Sequence, residues 1–172
     1  MGNVTTTVAD RADVRELAAR AVALLTERDL TVSCAESCTG GLLSAALTAI
    51  PGASAVYVGG CVTYNDEIKH RVLGVRRKSL KLHGAVSPQV AAEMAVGMRE
   101  HLGTDYALSV TGYAGPDGGD DKDPVGTVYI GISDMEHTKV IRMVDPPTAT
   151  RDTVREDAVC RALRLLIEVA GA

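Results

Sequence analysis

An α/β fold, a three-layer sandwich with a mixed β-sheet flanked by helices, is what this sequence predicts. Three observations carry it. Segments with apolar residues at helical spacing alternate with short, continuous β-branched runs. Two Gly-rich loops each follow such a run, where ligand loops lie in sheets of this kind. The 172 residues are 46% hydrophobic and 23% charged, enough for a full core without metal or disulfide staples.

The elements follow in order. Val14, Leu17, Ala18, Ala21, Leu24 and Leu25 form one apolar stripe and predict a helix over 10–28. A short strand over 31–35 runs into the first Gly loop. A helix near 40–50 is then stopped by Pro51-Gly52. Residues 55–64 form a long apolar run and predict a buried strand. Asn65 and Asp66 can cap a short helix closed by Gly74. Ser87-Pro88 opens the clearest helix, with Val90, Met94, Met98 and Leu102 at every fourth position and Gly103 at its end. Residues 106–111 predict a strand entering the second Gly loop. Residues 126–133 and 138–144 predict a hairpin turning through Asp134 to His137. Thr150 caps a last helix to about Val169. Residues 1–9 read as a flexible tail, and 10–172 as a single domain.

Bulk properties narrow the function. A net charge of −4 argues against a nucleic-acid surface, which carries a basic stripe. No apolar run reaches membrane-spanning length, and no signal peptide opens the chain. Cys34, Cys38, Cys61 and Cys160 make no metal or C-x-x-C pattern and read as reduced thiols of a cytoplasmic protein. The four His are scattered. No metal and no cofactor is expected.

The loop Ala35-Glu36-Ser37-Cys38-Thr39-Gly40-Gly41 is the leading candidate for chemistry. It sets a hydroxyl beside backbone N–H donors where a strand gives way to a helix. Such a junction can receive an anion, or a carbonyl becoming one. Two readings of Ser37 stand on the residues alone: a nucleophile, or, with Thr39, a helix cap. In Tyr64-Asn65-Asp66-Glu67-Ile68-Lys69, a desolvated Lys69 can act as general base and Tyr64 can pass a proton; a surface Lys on a short helix is the plainer alternative. Thr111, Gly112 and Gly115 belong to the second loop, whose glycines suit a backbone close to a ligand or an ordinary turn. Asp117, Asp120, Asp121 and Asp123 fit no calcium loop and read as a solvated acidic stretch. Arg151 and Arg155 open a helix where cations oppose its dipole; an anionic partner, or Asp152, Glu156 and Asp157, would account for them.

Five segments occur in order: Glu36-Ser37-Cys38-Thr39-Gly40-Gly41, Tyr64 to Lys69, His83-Gly84-Ala85-Val86-Ser87, Val110 to Pro116 and Pro124-Val125-Gly126-Thr127-Val128. With them the chain resembles the CinA C-terminal domain family, the nicotinamide-nucleotide amidases, over about residues 10–170. It looks like the stand-alone form, without the N-terminal domain of longer members. The resemblance implies hydrolysis of the carboxamide of nicotinamide mononucleotide to nicotinic acid mononucleotide and ammonia. It further implies a Ser nucleophile at Ser37, with Lys69 and Tyr64 beside it and no metal. Backbone N–H groups near Thr39, Gly40 and Gly41 would hold the oxyanion, and Arg151 and the second Gly loop the phosphate. The implied partners are a small mononucleotide substrate and further copies of the chain, a dimer or larger. Where the family carries Lys before Pro-Val-Gly-Thr, this chain has Asp123, and Tyr113 replaces a smaller residue. Those departures raise the alternative of a nucleotide-binding or regulatory module without turnover.

Overall fold

The structure, a computed structural model, describes residues 14–172. The tail over 1–9 and the first turn of the helix expected from residue 10 lie outside the described residues.

Five strands form one mixed sheet in the order β2-β1-β3-β4-β5. They are β1 (Val32–Glu36), β2 (Tyr57–Val62), β3 (Tyr106–Gly112), β4 (Thr127–Ser133) and β5 (Thr138–Val144). β1 pairs in parallel with both β2 and β3, with Glu36 level with Val62 and Val110. β4 and β5 complete the sheet antiparallel. The three parallel strands therefore end side by side, and the loops beyond them form one rim.

Helices cover both faces. On one side lie α1 (Val14–Arg28), α2 (Leu42–Thr48) and α6 (Arg151–Gly171). Their apolar stripes bury Leu25, Leu43, Leu47, Leu163 and Leu166 against Cys34, Leu108 and Ile130 of the sheet. Each fully buried Leu contributes about 1.5–3 kcal/mol. On the other side lie α3 (Asp66–Leu73), α4 (Arg77–His83) and α5 (Pro88–Leu102). Here Leu73, Val90, Met94 and Met98 pack on Ala35 and Ala107. Successive residues Cys34 and Ala35 thus face opposite layers, as the two-residue period of a strand requires. The three-layer expectation holds.

The capping signals read from sequence act as expected. Asn65 accepts the Glu67 N–H, Ser87 the Val90 N–H and Thr150 the Thr153 N–H. The Asp134 N–H reaches the His137 carbonyl across the hairpin turn at 3.0 Å.

Two expectations are corrected. The run over 55–64 is not a buried strand. β2 pairs only with β1 among the described residues, and alternate residues such as Val58 and Val62 are exposed. An apolar run signals a strand but not its place in the sheet. Helix α4 was not expected, because three of its first five residues are basic and no side chain caps it. Tertiary ties hold it instead: the Ser79 hydroxyl donates to Glu93 at 2.6 Å, and Arg77 pairs with Glu67.

Candidate active site

Ser37 sits where β1 leaves the sheet. Its N–H donates to the Val110 carbonyl of β3 at 2.9 Å, and the Thr63 N–H donates to the Glu36 carbonyl at 2.8 Å. Both neighbouring strands therefore fix the chain at the Ser37 entrance. Beyond Thr63 the Asn65 cap starts α3, and Lys69 turns back toward β1. Lys69 Nζ donates to the Thr63 carbonyl at 2.8 Å and to Ser37 Oγ at 3.1 Å. Lys69 is 1% exposed and Ser37 8%. A Lys this buried is rare unless its nitrogen has partners, and here both partners are neutral oxygens.

That setting decides the protonation chemistry. Burial lowers the Lys69 pKa below the usual lysine range, against the opposing pull of Asp66 and Cys38. A neutral amine keeps a donor for Thr63 and gains a lone pair for the Ser37 proton. The adjacent Cys38 is no rival nucleophile: burial pushes its thiol up to about 12.

Glu36 organises the other side of the loop. Its fully buried carboxylate accepts the N–H groups of Gly41 at 2.9 Å, Leu43 at 3.1 Å and Ser44 at 2.9 Å, and the Ser44 hydroxyl at 2.6 Å. The Gly40 N–H closes a turn onto the Ser37 carbonyl at 3.1 Å. Two of the amides expected to hold an oxyanion already have partners. The amides of Gly40 and Gly41 are committed inside the loop. Those of Cys38 and Thr39 donate to no carbonyl and to no other residue's side chain among the described residues.

A cavity of about 200 Å³ opens over the pair, lined by Ser37, Cys38, Tyr64, Lys69, Ala85, Val86, Thr111, Gly112, Tyr113, Ala114 and Arg151. Ser37, Lys69, Tyr64, Thr111, Gly112 and Arg151 of the expected set thus meet on one wall or another. Thr39, Gly40, Gly41 and Gly115 stand outside the lining. Tyr64 is at the mouth, 62% exposed, and its hydroxyl receives Arg151 Nη2 at 3.0 Å rather than touching Ser37. Arg151 Nη1 holds the Gly115 carbonyl at 2.6 Å. The Thr111 hydroxyl donates to the Ala85 carbonyl at 2.9 Å, which draws the segment before α5 into the wall.

The second loop's glycines serve internal packing as much as any ligand. A Cβ at Gly112 would lie 2.6 Å from the Thr127 carbonyl, and one at Gly115 would lie 2.7 Å from Val125. Asp123 is buried and accepts Tyr129 Oη at 2.8 Å and Arg142 Nε at 3.0 Å. Burial alone would raise its pKa, but those donors hold it below the usual carboxylate range. Among the described residues no three His, Cys, Asp or Glu are grouped to hold a metal. A larger groove of about 330 Å³, beside Arg76, Glu93 and Gly97, contains no nucleophile and base pair.

Sequence reasoning gave no role to Glu36, to the Thr63 carbonyl, or to the wall residues Ala85 and Val86. A carboxylate just before the loop was the one available signal for Glu36. A backbone carbonyl leaves none.

Residues 14–170 match the family model described as CinA C-terminal domain. A CinA-like protein of Citrifermentans bemidjiense is 51% identical over 130 residues, 76% of this chain and 31% of that protein. A CinA-like protein of Thermotoga maritima is 44% identical over 145 residues, 84% of this chain and 35% of that protein. The chain therefore spans about a third of the length of these curated relatives. Among solved structures, a competence/damage inducible protein CihA from Agrobacterium tumefaciens superposes with a TM-score of 0.89 at 40% identity, over 93% of this chain and 96% of that one. A competence-damaged protein (CinA) superfamily protein from Escherichia coli gives 0.89 at 35%, over 97% and 96%. On this evidence the chain belongs to the CinA C-terminal domain family.

Proposed function

We propose that this chain is a metal-independent amidohydrolase that cleaves the carboxamide of nicotinamide mononucleotide, releasing ammonia and nicotinic acid mononucleotide. The observation that carries the reading is the buried contact of 3.1 Å between Lys69 Nζ and Ser37 Oγ.

Neutral Lys69 takes the Ser37 proton as Oγ attacks the amide carbon. The oxyanion forms against loop amides, a contribution of about 2.7–4 kcal/mol per donor. The protonated amine then gives its proton to the departing nitrogen, and the C–N bond breaks. Water, deprotonated by the same amine, cleaves the ester and restores Ser37. Tyr64 and Arg151 at the mouth supply a hydroxyl and a fixed positive charge suited to a phosphate. In this reading they hold substrate, and proton transfer falls to Lys69. Among the described residues the outer edge of β2 is unpaired and Val58 and Val62 are exposed, which supports assembly with further copies of the chain. The four free cysteines accord with a reducing, cytoplasmic setting.

A module that binds mononucleotide without turnover was suggested by Asp123. That carboxylate is tied to Tyr129 and Arg142 and does not line the cavity, so the departure gives that alternative little support. Calorimetry with nicotinamide mononucleotide beside an ammonia assay separates the two. Binding with ammonia release is the expected result, and binding without it favours the module.

A further inference from the structure

Arg155 reaches the nucleophile loop from α6. Its Nε donates to the Cys38 carbonyl and its Nη2 to the Thr39 carbonyl, each at 3.1 Å, across more than a hundred residues of chain. A weaker contact with Asp152 at 3.5 Å leaves the fork committed to the loop. Arg155 lies one turn beyond Arg151, so α6 presents one cation at the cavity mouth and a second to the loop backbone.

The consequence follows from the planar trans peptide, in which the carbonyl of one residue and the N–H of the next point opposite ways. With the Cys38 carbonyl turned to Arg155, the Thr39 N–H is turned away from it. With the Thr39 carbonyl held likewise, the Gly40 N–H is turned to the Ser37 carbonyl, where it is found. Glu36 holds the next amides, those of Gly41, Leu43 and Ser44. The loop is gripped at its carbonyls by a guanidinium and at its later N–H groups by a carboxylate. Among the described residues it leaves the N–H groups of Cys38 and Thr39 without a partner in another residue, and Cys38 lines the cavity.

We infer that Arg155 is a positioning residue: its hold on the Cys38 carbonyl aims the Thr39 N–H, and its hold on the Thr39 carbonyl aims the Gly40 N–H at the Ser37 carbonyl, whose peptide carries the Cys38 N–H, so that both amides stand ready for the oxyanion formed at Ser37. This rests on the reading of Ser37 as nucleophile. It asks nothing of the substrate's identity. Lys cannot replace the fork, because two carbonyls are held by two nitrogens of one rigid plane.

The test is phosphonylation of Ser37 by a fluorophosphonate. Oγ bonds to phosphorus, the P–F bond breaks, fluoride leaves and the hydroxyl proton passes to Lys69. The rate is compared in the wild type, Arg155→Met and Arg155→Lys, with thermal unfolding as the control for fold. Arg155→Met is expected to be labelled about tenfold to a hundredfold more slowly, with Arg155→Lys between. In the ammonia assay kcat should fall while KM stays within about twofold, and the pH midpoint set by Lys69 should not move. A folded Arg155→Met labelled at the wild-type rate overturns the inference. Should that variant not fold, Arg155→Lys at the wild-type rate does the same. A wild-type chain that is labelled yet releases no ammonia defeats the proposed substrate, while the labelling contrast still decides the role of Arg155. A wild-type chain that is not labelled overturns both.

Discussion

The carboxylate of Glu36 and the hydroxyl of Ser44 meet at 2.6 Å at the base of the loop that carries Ser37. Glu36 is the last residue of β1 and Ser44 lies in α2, so this contact sets how the strand delivers the loop into the helix. Three backbone N–H groups share the same carboxylate. Glu36→Gln keeps the shape but puts an NH2 where acceptors are needed. We expect it to lower stability by about 2–4 kcal/mol, read by urea unfolding, and to reduce ammonia release in the fraction that stays folded.

On the proposed mechanism Lys69 sets the pH dependence of the reaction. Only the neutral amine can take the Ser37 proton, and burial depresses its pKa. The rate must therefore rise with pH as the amine loses its proton, then level off. The midpoint of kcat/KM should lie below the lysine value of about 10.4. Lys69→Met should be nearly inactive across that range, and a pH-rate profile checks both statements.

Gly97 lets the end of α3, one turn beyond Lys69, press on α5. A Cβ there would fall 1.9 Å from the Leu73 carbonyl, a backbone atom that cannot swing away. Gly97→Ala should cost about 1–3 kcal/mol by overpacking, in spite of alanine's better helix propensity. Thermal unfolding measures the loss, and turnover should fall with the displacement of α3.

Asp145 follows β5 and is buried, with Oδ2 unpartnered among the described residues. Burial, with Asp157 nearby, raises its pKa to about 6, and Arg161 opposes the shift. The fold thus favours the neutral carboxyl. Its stabilising contribution is complete below about 4 and is lost as pH rises through about 6. Asp145→Asn should therefore gain on the wild type as pH rises, reaching about 1–3 kcal/mol near pH 8 and little near pH 4. Urea unfolding at the two pH values reads the difference.

Local signals in the sequence carried most of the fold. Caps at Asn65, Ser87 and Thr150, and the stripe of α5, are written in residues next to one another. What was illegible depends on distant partners. α4 owes its helix to Glu67 and Glu93, and β2 owes its exposure to its place at the sheet edge. The site divides the same way. Ser37 stood out by its glycines. Its approach to Lys69 depends on the pairing of β1 with β2, which no local pattern specifies, and only the family resemblance pointed to it. The sequence offered no sign that the Gly41 and Gly40 amides, expected as oxyanion donors, would already be taken by the Glu36 carboxylate and the Ser37 carbonyl.

Ammonia release from nicotinamide mononucleotide by the purified chain and its Ser37→Ala variant tests the central claim most directly. The account predicts turnover by the wild type and a loss of about a thousandfold or more in the variant, with the same unfolding temperature. A folded Ser37→Ala chain that releases ammonia at close to the wild-type rate would contradict it.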